Sequence, residues 1–165
     1  GIIGGGSALL LNNNITKFHE AHLRAGKESQ LGTDLCLGIS FHIAETKEKA
    51  IKEATPFYEE HAKMFGPLGF LGQLTDEQVE AISTRGGIPN SGIPDLEWAC
   101  ENGAWYCGPP EGFVDFLSVL NEKFPGLEDV NVQSAMGTPE KVMVEQLKIF
   151  GNEVMPKMRM AEAAD

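Results

Sequence analysis

Cysteine is scarce in this sequence: Cys36, Cys100 and Cys107 are the only three in 165 residues. None of them stands in CxxC or CxxxC spacing, which argues against a zinc ribbon, and an odd set argues against the paired disulfide framework of a small secreted scaffold. Reduced, mostly buried thiols are the expectation. Basic residues are also few. Thirteen Lys and Arg stand against 24 Asp and Glu, giving a net charge of -11. A surface of that sign repels phosphate backbones and anionic lipid, so neither nucleic acid nor membrane is an expected partner. Long apolar runs are missing too. Ala8 to Leu11 and Leu35 to Phe41 fall far below the ~20 residues that cross a bilayer, and no basic segment with a following apolar stretch opens the chain. A soluble, cytoplasmic protein is expected. Neither G-x-G-x-x-G nor G-K-[ST] occurs, so Gly4, Gly5, Gly6 and Ser7 match a phosphate-cradling loop poorly. An initiating Met is absent as well: the chain opens at Gly1 on an apolar, glycine-rich string, as though a longer chain had been cut.

What is present suits one globular domain, with 42% hydrophobic and 22% charged residues. Residues 1–6 read as a short strand leaving through glycines. Ile15, Phe18, Ala21, His22 and Ala25 recur at helical spacing, predicting a helix over 14–25 capped by Gly26. The near-continuous apolar run 35–43 predicts a strand covered on both faces. Thr46 then opens a helix reaching about Met64, with Pro56 expected to kink it or split it in two. Glycine and proline crowd 66–103, which reads as a long excursion carrying one short helix near 75–83, and loops of this length are usually functional lids or mobile linkers. A helix starts at Pro110, a short strand covers 130–133, and one long helix covers 142–159. The tail over 160–165 is expected to fray. Strands alternating with helices imply parallel pairing through right-handed crossovers.

Several side-chain groupings hold two readings open. His19 and His22 share a helical face but lack a third or fourth ligand, so surface histidines outweigh half a metal site. His42 is a weak catalytic candidate, as a proton-handling group at the mouth of a site, or else a satisfied core or rim histidine. His61 belongs to the packing stripe of its helix. Trp98, Trp105, Tyr106 and Phe113 either line an apolar pocket or belong to the core. Gly108 to Glu111 reads as a turn, since two prolines remove donors where an anion would need them.

The last third carries a resemblance. Gly108, Pro109, Pro110 and Glu111 lead into an apolar helix; Asp129, Val130, Asn131, Val132 and Gln133 follow. Then come Gly137, Thr138, Pro139, Glu140, Lys141 and Val142, and finally Leu147, Ile149, Phe150, Gly151, Glu153, Val154, Met155, Pro156 and Arg159. This passage resembles the C-terminal signature of the bacterial luciferase-like flavin monooxygenases, with 150–159 its most specific part. Ile43, Ala44, Glu45, Thr46, Lys47, Glu48, Lys49 and Ala50 are similar to a late strand and helix start of the same family.

The resemblance implies a partial (β/α)8 (TIM) barrel: an α/β fold in which 1–165 supplies strands six to eight with their helices, and 66–103 the lid between the seventh and eighth. It implies FMN or a related flavin as cofactor, a deazaflavin being the variant left open. A flavin reductase would supply the reduced form, and a small organic substrate and O2 would be the reactants. The first five strands, with their flavin-phosphate residues, have no counterpart here. A missing N-terminal barrel half or a partner chain would therefore be required, because three parallel strands cannot close a barrel. Active sites of barrels lie where strands end, so the flavin-facing positions would be Gly4 and Gly5 after the first strand and Gln133 and Ser134 after the last. Gly4 to Gly6 as a plain turn is the competing reading. Two other functions stay open: a non-catalytic fragment or subunit completing a partner barrel, and a small stand-alone α/β binding domain.

Overall fold

The computed structural model describes residues 2–3, 12–68, 74–84, 87 and 91–162. Their order is β1 (Ile2–Ile3), α1 (Asn12–Arg24), β2 (Cys36–Ile43), α2 (Lys47–Phe65), α3 (Asp76–Ser83), α4 (Leu96–Glu101), β3 (Trp105–Gly108), α5 (Pro110–Lys123), β4 (Asp129–Gln133), α6 (Glu140–Ile149), a π-helical stretch (Phe150–Val154) and α7 (Met155–Glu162).

The helices begin where the sequence offers a donor's partner. Thr46 accepts from the Lys49 N–H at 3.2 Å, and Asp95 accepts from the Trp98 N–H at 2.9 Å. Thr75 and Gln78 form a reciprocal capping box at α3. At α5 the first position is Pro110, whose missing N–H would have had no partner inside the helix.

All three ladders are parallel and all involve β2. A strand has two edges, so two of its three neighbours must share one. Cys36 and Leu37 face both β1 and β4, while Ser40 faces both β3 and β4. Hence β1 and β3 lie along one edge of β2, at its start and its end, and β4 occupies the other. The sheet has four strands instead of the three read from the sequence. The additional one is β3, which the sequence reading passed over because four residues are too few for an alternation pattern to register.

Successive residues of a strand point to opposite faces, and here the two faces differ in chemistry. Leu37, Ile39, Phe41 and Ile43 pack with Tyr106, Val130 and Val132 against Ile15 of α1, Phe113, Leu117 and Leu120 of α5, and Val154. Phe113 is the centre of that layer, stacked on Tyr106 at 4.5 Å and on Phe41 at 5.5 Å between ring centroids. The opposite face carries Cys36, Gly38, Ser40 and His42 of β2. In register beside them stand Asp129, Asn131 and Gln133 of β4, and Trp105 and Cys107 of β3. Its C-terminal part is covered by Ala50 and Ala54 of α2 and Leu96 and Ala99 of α4 around Trp105 and Cys107.

Other expectations are adjusted. Pro56 lies inside α2 without dividing it. The excursion holds α4 as well as α3, and α3 is docked on α2 through Ile82 against Ala62 and Tyr58. The long terminal helix is three pieces: Met155 N–H bonds to the Phe150 carbonyl five residues back, just before Pro156. A proline ring crowds the carbonyl four residues earlier, and widening the coil to π geometry accommodates it. The final α-helical piece continues to Glu162, into the stretch expected to fray, while 163–165 lie outside the described residues.

Candidate functional site

A cleft of about 530 Å³ opens at the C-terminal end of β2, between α2 and α6. His42, Ile43 and Ala44 form its floor; Glu45, Lys49, Glu53 and Phe57 come from the α2 side, and Glu145, Gln146 and Glu153 from the α6 side. The position follows from the fold, since β2 ends there and the chain turns into α2 at Thr46.

His42 is buried, 4% exposed, and its Nε2 lies 3.1 Å from Oε2 of Glu53, whose side chain is 44% exposed. Glu53 is eleven residues away in sequence, and α2 carries it back over the end of β2. Phe57 stands 6.2 Å from the imidazole, centroid to centroid, and closes the apolar side. A carboxylate bonded to one ring nitrogen fixes the imidazole's orientation, an arrangement suited to handling a proton.

Gln146 secures the opposite wall. It is 5% exposed, and its carboxamide accepts from the Ile43 N–H at 2.5 Å and donates to the Ile43 carbonyl at 3.0 Å. The reason lies in strand parity. Ala44 donates to Gly108 on the β3 edge, so Ile43 turns its polar groups to the β4 edge. The β2–β4 ladder ends at Ser40 and Gln133, and the Gln146 side chain takes the place of the next peptide.

The cleft is acidic. Glu45, Glu53, Glu145 and Glu153 surround one ammonium, Lys49, which donates to Glu45 at 2.5 Å and lies 3.9 Å from Glu53. The hydrogen bond to Glu45 holds the Lys49 ammonium above its usual pKa. Four carboxylates against one ammonium disfavour a phosphate group here.

Of the positions read from the sequence, Gly4 and Gly5 lie outside the described residues. Gln133 is the last residue of β4, half-buried and opposite Ser40, and Ser134 follows it, also half-buried. Gln133 and His42 thus share one sheet face, two steps apart along the ladder. The structure does not bring the four aromatics together. Trp105 and Tyr106 point to opposite faces, Trp105 toward Tyr58 and His61 and Tyr106 into the α5 layer, while Trp98 is 38% exposed. His19 is bonded to Ser29 and His22 packs on Phe18. Among the described residues no group of three or more His, Cys, Asp or Glu is placed to hold a metal ion, and no helix is long and apolar enough to cross a membrane.

No family model and no curated protein matches the sequence. Solved structures do match the fold. The oxygenating constituent of 3,6-diketocamphane monooxygenase from Pseudomonas putida, a type II Baeyer-Villiger monooxygenase in complex with FMN, superposes with a TM-score of 0.58 at 19% identity. That match covers 95% of this chain and 42% of the other. Long-chain alkane monooxygenase matches with a TM-score of 0.55 at 14% identity, over 98% of this chain and 37% of its own. The fold matches part of that of the luciferase-like flavin monooxygenases. A riboflavin lyase bound to modified FMN and riboflavin extends the set, at a TM-score of 0.54 and 15% identity over 98% of this chain and 39% of that one. The luciferase-like resemblance read from the last third of the sequence therefore holds at the level of fold. The chain spans about two fifths of the length of each luciferase-like neighbour.

Glu53, Gln146 and Ser40 escaped the sequence reading. Ser40 was within reach, because Gly38, Ser40 and His42 are alternate small or polar positions inside an otherwise apolar run. Glu53 and Gln146 carried no such signal, since only the return of α2 and α6 over the strand end brings them to β2.

Proposed function

We propose that this chain is the C-terminal part of a flavin-dependent monooxygenase of the luciferase-like kind, oxidising a small organic substrate with O2 once the barrel is complete. In this reading β1, β2 and β4 are the sixth, seventh and eighth strands, and α1, α5 and the α6–α7 segment are the helices outside them. The insertion over 66–103, between β2 and β4, is the lid. One observation carries the proposal: the parallel sheet has an apolar face under helices and a small, polar face that runs toward a cleft at the strand ends, where barrel enzymes keep their sites.

A flavin fits that polar face. Gly38 adds no side chain and Ser40 a small one, and both are buried, so the ring is assigned to the end of that face, near the cleft. Gln133 and Ser134 offer an amide and a hydroxyl to its polar edge, and Gly4 and Gly5, which follow β1 in sequence, complete the proposed flavin-facing set. A bound reduced FMN, or a deazaflavin relative, supplies the electrons of the reaction, replenished by a flavin reductase. This chain's residues position it, exclude water and, at His42 paired with Glu53, take up or release a proton. The acidic cleft leaves the flavin phosphate to elements outside this chain.

A second reading, favoured by the match to about two fifths of each neighbour, is a non-catalytic piece that completes a partner's barrel. Among the described residues nothing pairs with the outer edge of β4, and open edges promote association.

Visible absorbance and size-exclusion chromatography with added FMN test both readings. Alone, the chain is expected to associate and remain colourless. Co-expressed with a polypeptide supplying the other strands, it is expected to carry one FMN per barrel and to consume O2 when a reductase is added. A yellow monomer of the isolated chain overturns the need for completion. A completed assembly that keeps its FMN affinity after Gly38→Phe overturns the assignment of the polar face, and one that binds FMN but oxidises nothing favours the second reading.

A further inference from the structure

Cys100 and Cys107 lie outside the cleft and take no part in the proposed chemistry, yet the fold sets them side by side. Cys100 is the fifth of the six residues of α4 and Cys107 is in β3, and the six residues between them close on themselves. Gly103 donates to the Cys100 carbonyl at 3.2 Å, and Ala104 donates to the Ala99 carbonyl at 2.8 Å. Gly103 makes the reversal at φ +68°, a conformation that glycine adopts without strain. Both cysteines join one cluster with Trp105 and Ala99, on the sheet face opposite Tyr106.

Their environments are unequal. Cys107 is buried and Cys100 half-buried, so a small reagent reaches Cys100 first. Lys47, held in that quarter by Glu101 at 4.0 Å, adds positive charge on the Cys100 side. The neighbouring Cys107 thiol, more than that ammonium, draws the Cys100 pKa below its ordinary value, while the Cys100 sulfur and burial push Cys107 up. An attacking thiolate beside a protonated thiol is the arrangement of a reactive and a resolving cysteine.

We propose that Cys100 and Cys107 are a peroxide-sensitive dithiol that closes reversibly to a disulfide, stapling α4 to β3 at the end of the 66–103 excursion. The oxidant is hydrogen peroxide or an organic hydroperoxide. The Cys100 thiolate attacks one peroxide oxygen, an S–O bond forms, the O–O bond breaks, and the departing hydroxide takes up a proton. The Cys107 sulfur then attacks the Cys100 sulfenic acid; the S–S bond forms, and the released hydroxide leaves as water with the Cys107 proton. Two thiols and one hydrogen peroxide yield one disulfide and two waters, with two electrons passing from sulfur to oxygen. A thiol reductant reverses the change. Cys36, at the start of β2, has no thiol neighbour of this kind and serves as an internal control.

The test uses the reduced 165-residue chain with hydrogen peroxide in slight excess at neutral pH. The thiol count is expected to fall from three to one, the mass by two hydrogens, and dithiothreitol should restore both. Cleavage after Glu101 should leave its two flanking segments joined through sulfur in the oxidised chain only. Cys100 should be consumed on the order of tenfold faster than Cys36, following its larger thiolate fraction. In Cys107→Ser, Cys100 should stop at a sulfenic acid trapped by dimedone, and Cys100→Ser should abolish the fast phase. Equal rates at Cys36 and Cys100, a dimer linked through Cys100, or three surviving thiols would overturn the proposal. Should either serine variant fail to fold by circular dichroism, the rates and linkage in the unmodified chain still decide it.

Discussion

Gln146 offers the sharpest check on how β2 and α6 are joined. Replacing it with Ala removes both partners of Ile43, whose N–H and carbonyl lie at the buried end of β2. Each buried polar group left unmade costs about 1–3 kcal/mol. Because Gln146 lines the open cleft, water can reach part of the vacated space, so about 2–4 kcal/mol is expected in total. For a chain of this size that corresponds to a fall in Tm of roughly 5–15 °C. The isosteric Gln146→Glu separates hydrogen bonding from packing. An ionised carboxylate can still accept from the Ile43 N–H, but it offers no donor to the carbonyl and sets two oxygens against each other. Protonation restores the donor and is easier in the folded chain, so the folded carboxyl pKa is raised. Relative to the parent, the variant should be weak at pH 8 and recover as the pH falls through that raised value. Urea unfolding followed by circular dichroism at both pH values measures this. A loss under about 1 kcal/mol for Gln146→Ala, or a Gln146→Glu deficit that does not change with pH, would refute the assigned role.

His61 has a buried Nδ1 with no hydrogen-bond partner, and packs between Phe65 and Trp105. Burial lowers its pKa, so below about 6.5 the unfolded chain binds more protons than the folded one, and stability falls as the pH drops through that value. Denaturant melts of His61→Phe against the parent should show the variant gaining on the parent as the pH falls from 7 toward 5, with a constant difference above pH 7; parallel curves would refute this. A Cβ on Gly112 would lie 2.7 Å from the Tyr106 hydroxyl, which donates to the Pro109 carbonyl. Gly112→Ala should therefore cost about 1–3 kcal/mol. In a Tyr106→Phe background it should instead gain up to about 1 kcal/mol from helix propensity, a reversal that thermal melts of the four combinations would detect.

Much of the framework was legible because it is written in local pattern. The apolar run at 35–43 gave β2, Thr46 and Thr75 marked helix starts, and Pro110 marked α5. Where two local signals conflicted, tertiary packing decided. Pro56 argued for a break in α2, but Ala54 and Ala62 on either side of it are buried, and their packing holds the helix through it. Trp105 to Gly108 is too short to announce a strand, and becomes one because β2 offers it an unpaired edge.

The sequence by itself determined that strands and helices alternate, that the strands pair in parallel, and that alternate positions of β2 are small or polar. Those features depend on neighbours in the chain. Only the tertiary structure decided that β1 and β3 share one edge of β2, that Glu53 meets His42, that Gln146 completes the ladder at Ile43, and that Cys100 meets Cys107. Each of these joins groups on different elements, and such contacts are fixed by where packed layers come to rest, which no periodicity in the sequence encodes.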